Sequence, residues 1–222
     1  MAGYCCRISI HFTSFRILKS EYTYQTIQSP SHSLYKEKGS KFFGYAFNVS
    51  NEEDVKLRLA EIREKHSDAR HHCYAYRLGL GQEERYRAND DGEPTNSAGK
   101  PIYGQLLSAG VTNVLVIVVR YFGGVKLGVG GLISAYKIST KETLDETKII
   151  EKEELNYYQI NFEYPQMSEV MNFVKMNRLE VTNQVFEADC MIQFKHDIPS
   201  AEGIIFQLEE IENVTVEFLK KE

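Results

Sequence analysis

The chain has 222 residues, 42% hydrophobic and 26% charged, with a formal net charge of -5 and a pI near 5.8. That length allows one large or two small domains, and the composition is ordinary for a folded globular protein. The acidic balance excludes indiscriminate coating of nucleic acid or anionic membrane, so any such contact must come from a local basic patch.

Residues 1–20 read MAGYCCRISIHFTSFRILKS. Arg7, His11, Arg16 and Lys19 interrupt every apolar run, so the segment lacks the clean apolar core of a secretory signal. It reads as an accessory arm of poor order. No later stretch approaches the ~20 apolar residues of a membrane span. The four cysteines, Cys5, Cys6, Cys73 and Cys190, form no C-x-x-C pair. A structural zinc site is therefore not expected, and a reducing cytoplasm is the simplest setting.

Tyr22–Ile27 suits a first strand, and Gln28–Ser33 reads as a loop around Pro30. Lys41–Val49 alternates, placing Phe43, Tyr45, Phe47 and Val49 on one face of a strand. Lys36, Lys38 and Lys41 flank Gly39-Ser40 at its start. Ser50 followed by Glu53 is a capping-box pattern for a helix to about Lys65, with Val55, Leu59 and Ile62 inward. Ala69–Leu80 and Glu84–Ala88 read as a hairpin. His71, His72 and Cys73 invite a catalytic reading, but neighbours on a strand point to opposite faces and no orienting third group is evident. They read as packing residues.

Asp90-Asp91-Gly92-Glu93-Pro94 is turn chemistry. A calcium loop with Gly92 in sixth place would need a carboxylate at Arg87, so that pattern fails. The carboxylates of Asp90, Asp91 and Glu93 could hold one magnesium ion or pair with cations, and pairing with Arg120 and Lys126 is the expectation. Pro101 suits the first turn of a helix to Ala109, stopped by Gly110. Val114–Val119 has no polar break and suits a strand buried on both faces. Arg120 would emerge at its end, where open α/β sheets place ligands.

Gly123-Gly124-Val125-Lys126-Leu127-Gly128-Val129-Gly130-Gly131 then leads into a helix near Gly131. Glycines let a backbone approach a ligand, and the helix start offers unpaired N–H groups and the positive dipole end. With Arg120 and Lys126 this is a candidate phosphate site. It matches neither a Walker A loop, since Leu127 follows Lys126, nor a dinucleotide fingerprint, whose last glycine would fall on Ile133.

Beyond Lys141 the chain turns charged, with a domain boundary near Glu151 as a helix tail passes into a linker. The tail reads βαββαβ: strand Asn156–Glu163, helix Gln166–Met176, strands Glu180–Phe186 and Asp189–Lys195, helix Ser200–Leu208, strand Val214–Leu219. From Leu155 onward 5 Lys/Arg face 12 Asp/Glu, a charge of -7, leaving +2 before it. The acidic tail shows no aromatic-plus-basic strand face of the RNA-binding kind.

The segments YKEKGSKFFGYA, HHCYAYRLG, DGEP, SAGKPI and VVRYFGGVKLGVGGLISAY, in that order, resemble the IMPACT family, also called the YigZ family, in its two-domain bacterial form. The resemblance spans about Tyr35–Leu144. It implies an α+β chain: residues 21–150 as an IMPACT N-terminal-like domain with a βαβ fold shared with a ribosomal-protein second domain and GHMP kinases, and residues 155–222 as a ferredoxin-like domain. Eukaryotic relatives regulate translation initiation by competing for an activator of a stress-responsive kinase. Bacterial relatives are suspected RNA or ribosome binders. Ser134 stands where members often carry arginine, which removes one bidentate phosphate donor; Lys137 lies nearby in sequence.

Two functions follow. One is a non-catalytic translation-associated regulator, tied to the stress response in eukaryotes, that binds RNA, the ribosome or a translation factor. Its contacts would be Lys41, Lys100, Arg120, Tyr121, Gly123, Gly124, Lys126, Gly128, Gly130, Gly131 and Lys137. It needs no cofactor, metal or membrane. The alternative is a GHMP-kinase-like enzyme for a nucleotide or phosphorylated small molecule, with Asp90, Asp91 or Glu93 as base. A peptidase lacks support, because no histidines show metal-ligand spacing.

Overall fold

The computed structural model describes residues 22–187 and 189–221. The expected N-terminal arm lies outside them. The described chain is α+β and falls into two compact units, Tyr24–Lys152 and one built on the residues from Glu153 onward.

The first unit is organised on β6 (Val114–Tyr121), whose first seven residues are all buried. It is the middle strand of five, in the order β2-β3-β6-β4-β5, with β2 (Ser31–Glu37), β3 (Ser40–Asn48), β4 (His71–Leu78) and β5 (Arg85–Asn89). Every pairing is antiparallel. The Val114–Val119 run is unbroken because helices cover both faces, which is what a doubly buried strand requires whatever its direction. Val114, Val116 and Val118 pack with Ile102 and Leu106 of α2 (Gly99–Ala109) and Leu132 and Tyr136 of α3 (Gly128–Asp145). Leu115, Ile117 and Val119 pack on the other side with Val55, Leu59 and Ile62 of α1 (Glu52–Lys65).

The α1 cap sits one residue later than the capping box expected at Ser50. Asn51 accepts from the Asp54 amide at 2.8 Å, and Asp54 accepts in return from the Ser50 amide at 2.8 Å. Gly110 ends α2 at φ +67, in the left-handed region glycine adopts without a Cβ penalty.

Two strands escaped the sequence reading. β2 occupies part of the expected loop at Gln28–Ser33. Its inward residues are Ser31 and Ser33, which bond to Thr143 of α3, so it lacks the apolar alternation that marks a strand. β7 (Ile149–Glu153) replaces the expected linker and pairs with β1 (Thr23–Ile27). Its exposed, charged side chains gave no strand signal.

The second unit runs β8 (Leu155–Glu163), α4 (Met167–Met176), β9 (Glu180–Phe186), β10 (Asp189–Asp197), α5 (Ile198–Glu209) and β11 (Thr215–Lys221). Its sheet has the order β11-β8-β10-β9, and β10 and β11 both run antiparallel to β8. Ile160, Ile192 and Phe194 meet Val170, Val174 and Leu208 in a core of its own. Among the described residues no helix is long and apolar enough to cross a membrane.

Candidate functional site: a glycine loop over a buried ion pair

Alternation along β6 sends Arg120 to the α3 face and Tyr121 to the α1 face. Arg120 does not reach the loop as a free cation. Its Nη1 donates to Glu93 Oε1 at 2.7 Å, and both side chains are buried. The guanidinium lies between two rings, 5.6 Å from the Phe42 centroid and 5.7 Å from that of Phe122. Where an anion contact was expected, Arg120 already has a carboxylate and two aromatic faces. The pairing expected with the acidic turn is present through Glu93 alone.

Glu93 Oε1 also accepts from the Tyr136 hydroxyl of α3 at 2.9 Å, and the Cys73 thiol donates to that hydroxyl oxygen at 3.2 Å. Burial pushes the Tyr136 phenol above its ordinary range, reinforced by Cys73 and Glu93. Burial likewise pushes the Cys73 thiol well up. A thiol held protonated is no nucleophile, which agrees with reading Cys73 as packing. Sequence reasoning anticipated the pair of the acidic turn with Arg120 but missed Tyr136, 43 residues from Glu93, and Cys73, 63 residues from Tyr136.

The other two carboxylates are engaged as well. Asp90 Oδ1 accepts from the Ala98 and Gly99 amides, both at 2.9 Å, and Oδ2 from the Asn96 amide at 2.8 Å. Asp90 thus ties the turn to the start of α2. Asp91 accepts from the His72 amide at 2.7 Å and lies 3.5 Å from Arg63. Neither pairs with Lys126. Among the described residues no group of three or more His, Cys, Asp or Glu side chains converges as metal ligands.

Above this floor sits the glycine loop. Lys126 is exposed, as are Gly124, Gly128 and Gly130, and a Cβ at any of those three glycines would meet no atom within 4 Å. The helix begins at Gly128, three residues before the expected start. Leu127 supplies no side-chain cap for the first-turn amides of α3. Ser134 turns its hydroxyl back to the Gly130 carbonyl at 3.1 Å.

Gly123 differs from its neighbours. Its amide donates to Ser40 Oγ at 3.2 Å, and a Cβ there would lie only 1.8 Å from the Gly39 carbonyl carbon. The β2–β3 turn and the glycine loop therefore touch backbone to backbone. Lys41, beside that turn, is exposed and pairs in register with Tyr121. Two expected contacts stand elsewhere. Tyr121 points across the sheet, its hydroxyl 3.0 Å from His66 Nδ1. Lys137 lies nine residues into α3, roughly 14 Å along the axis from Gly128. Lys100 is exposed at the start of α2.

An α+β chain with this loop beside a DGEP turn has a counterpart among known proteins: the Impact N-terminal domain family matches residues 38–144. IMPACT family member YigZ of Escherichia coli (strain K12) is 32% identical over 157 residues, 70% of this chain and 77% of its own length. IMPACT family member YvyE of Bacillus subtilis (strain 168) is 33% identical over 152 residues, 68% of this chain and 69% of its own. A crystal structure of a hypothetical protein, 26% identical, superposes with a TM-score of 0.67 over 90% of this chain and 98% of that one. The chain belongs to the IMPACT family.

Proposed function

We propose that the chain is a non-catalytic, translation-associated regulator that contacts RNA, the ribosome or a translation factor through the glycine loop. The observation that supports this reading most is the loop itself: an uncapped helix start with exposed Lys126, above a floor where each nearby carboxylate already has a partner. Uncapped amides and a lysine attract phosphate or carboxylate oxygens. The contact set becomes Lys126 and the glycine backbone, with Lys41 and Lys100 at the flanks. Arg120 holds the floor instead of touching the partner. The cytoplasm, the ribosomal-protein-like and GHMP-like relation of the first unit and the ferredoxin-like relation of the second belong to the same reading.

The enzyme alternative requires a free base beside the loop. Asp90 accepts three backbone amides and Glu93 is tied to Arg120 and Tyr136, so neither is poised for proton transfer. A Lys126→Ala Lys100→Ala variant is expected to lose co-sedimentation with RNA or ribosomes at low salt while keeping its thermal midpoint. Unchanged co-sedimentation counts against this surface. A clear thermal shift with ATP and magnesium would favour the enzyme; ligand at a hundredfold above its dissociation constant stabilises by about 2.7 kcal/mol.

A further inference from the structure

The β2–β3 hairpin stores two local penalties that the fold does not need. Its turn residues Lys38 and Gly39 have φ of +45 and +80. Positive φ at both central positions is the type I′ geometry, for which Asn-Gly is the favoured pair. Lysine has no side-chain device that eases the left-handed conformation. On either side of the turn, Lys36 and Lys41 are direct cross-strand partners, and both are exposed. Like charges placed directly opposite on a sheet destabilise it. Among the described residues no ion pair involves Lys36, Lys38 or Lys41.

The hairpin is also fixed in place. Gly39 and Gly123 meet so closely that a Cβ on Gly39 would lie 2.8 Å from the Gly123 carbonyl oxygen. Lys38 is thereby held at the edge of the glycine loop, with Lys36 and Lys41 on the Tyr121 side of the two strands, and an anion between the paired lysines would offset their repulsion. Strain that persists without a structural return marks a functional position. We propose that Lys36, Lys38 and Lys41 form a phosphate-contacting hairpin, whose tip abuts the glycine loop, for the backbone of single-stranded RNA. This rests on the reading of the loop as a partner-binding surface. An extended backbone presents phosphates in series, which suits lysines spread over a hairpin tip and a loop.

The test exploits a conflict between stability and binding. Lys38→Asn installs the favoured turn residue, and Lys36→Glu converts the repulsive cross-strand pair into an attractive one. Each should raise the thermal midpoint and weaken binding of a fluorescein-labelled single-stranded RNA of mixed sequence, measured by anisotropy across a salt series. The Lys36→Gln Lys38→Asn Lys41→Gln variant should lower the slope of log K against log salt by about 2, since each phosphate contact on a single strand contributes roughly 0.7. Lys126→Ala, run in parallel, reports on the loop alone. If Lys126→Ala weakens binding while the hairpin variants bind as wild type with an unchanged slope, this proposal falls and the loop reading stands. If wild-type protein binds no RNA but co-sediments with a protein partner, both the RNA assignment and the hairpin's role fall.

Discussion

Glu93 receives Arg120 and Tyr136 on one oxygen, so a single carboxylate joins the end of β6, the DGEP turn and the third turn of α3. Ion pairs this deep are costly to desolvate, but breaking one by removing a partner is worse, because the remaining charge is stranded. Glu93→Gln should lower the urea-unfolding free energy by about 3–5 kcal/mol. The Arg120→Met Glu93→Leu double variant, which strands no charge, should lose less than the single; a larger loss would contradict this account. Two histidines on the opposite, α1 face of the sheet give the unit a pH dependence. His66 sits between the hydroxyls of Tyr45 and Tyr121 at 2.7 and 3.0 Å. Burial lowers its pKa, helped by Lys65 and His72. Burial also lowers that of His72, against a partial opposing pull from Asp91. Folded pKa values below the unfolded value of about 6.5 mean that the unfolded chain binds more protons. Stability is then complete above about pH 6.5 and falls as pH drops through the folded values. The thermal midpoint should decline on acidification below that point, and His66→Gln His72→Gln should flatten the decline. An equal slope in the variant would remove these two residues from the explanation.

At the scale of elements, β3 and α3 approach so closely that the space for a Cβ at Gly44 is already filled: it would lie 1.9 Å from Thr143 Oγ1. Gly44→Ala should destabilise by about 1–3 kcal/mol through overpacking, and Thr143→Ala in that background should recover part of the loss. Additive losses in a denaturation cycle would exclude direct contact as the cause. The same contact shows which parts of the fold the sequence could announce. α1 was legible because Val55, Leu59 and Ile62 repeat at the helical period and all three are buried. β3 was legible on one face through Tyr45, Phe47 and Val49, which join the α1-side core. β2 was not, because it packs on α3 through serine hydroxyls, and hydroxyls carry no hydrophobic period. The run Val114–Val119 announced burial on both faces but not strand direction, which depends on partners distant in sequence. The glycine loop was visible as composition. The pairing of the acidic turn with Arg120 was legible too; that it consists of Glu93 alone, with Tyr136 as a second donor 43 residues on, was not, because no local pattern encodes that geometry.

Across the whole molecule, charge is divided unevenly between the units. Tyr24–Lys152 carries 18 Lys/Arg against 16 Asp/Glu, a net +2, whereas Glu153–Glu222 carries 5 against 14, a net -9. Each unit closes its own core, and the pairing of β1 with β7 keeps both ends of the first unit within it. Domains with private cores can fold alone. A fragment spanning residues 24–152 should therefore unfold cooperatively and retain RNA binding with a salt slope no shallower than that of the full chain, because the phosphate-facing lysines all lie within it. Its affinity at low salt should exceed that of the full chain, since the truncation shifts the net charge from -5 to +2 and so removes long-range repulsion of a polyanion, and the two affinities should converge as salt screens that repulsion. A fragment of residues 153–222 should not bind. RNA captured by the acidic fragment, or a shallower salt slope in the isolated first unit, would move the contact surface away from the glycine loop and its hairpin.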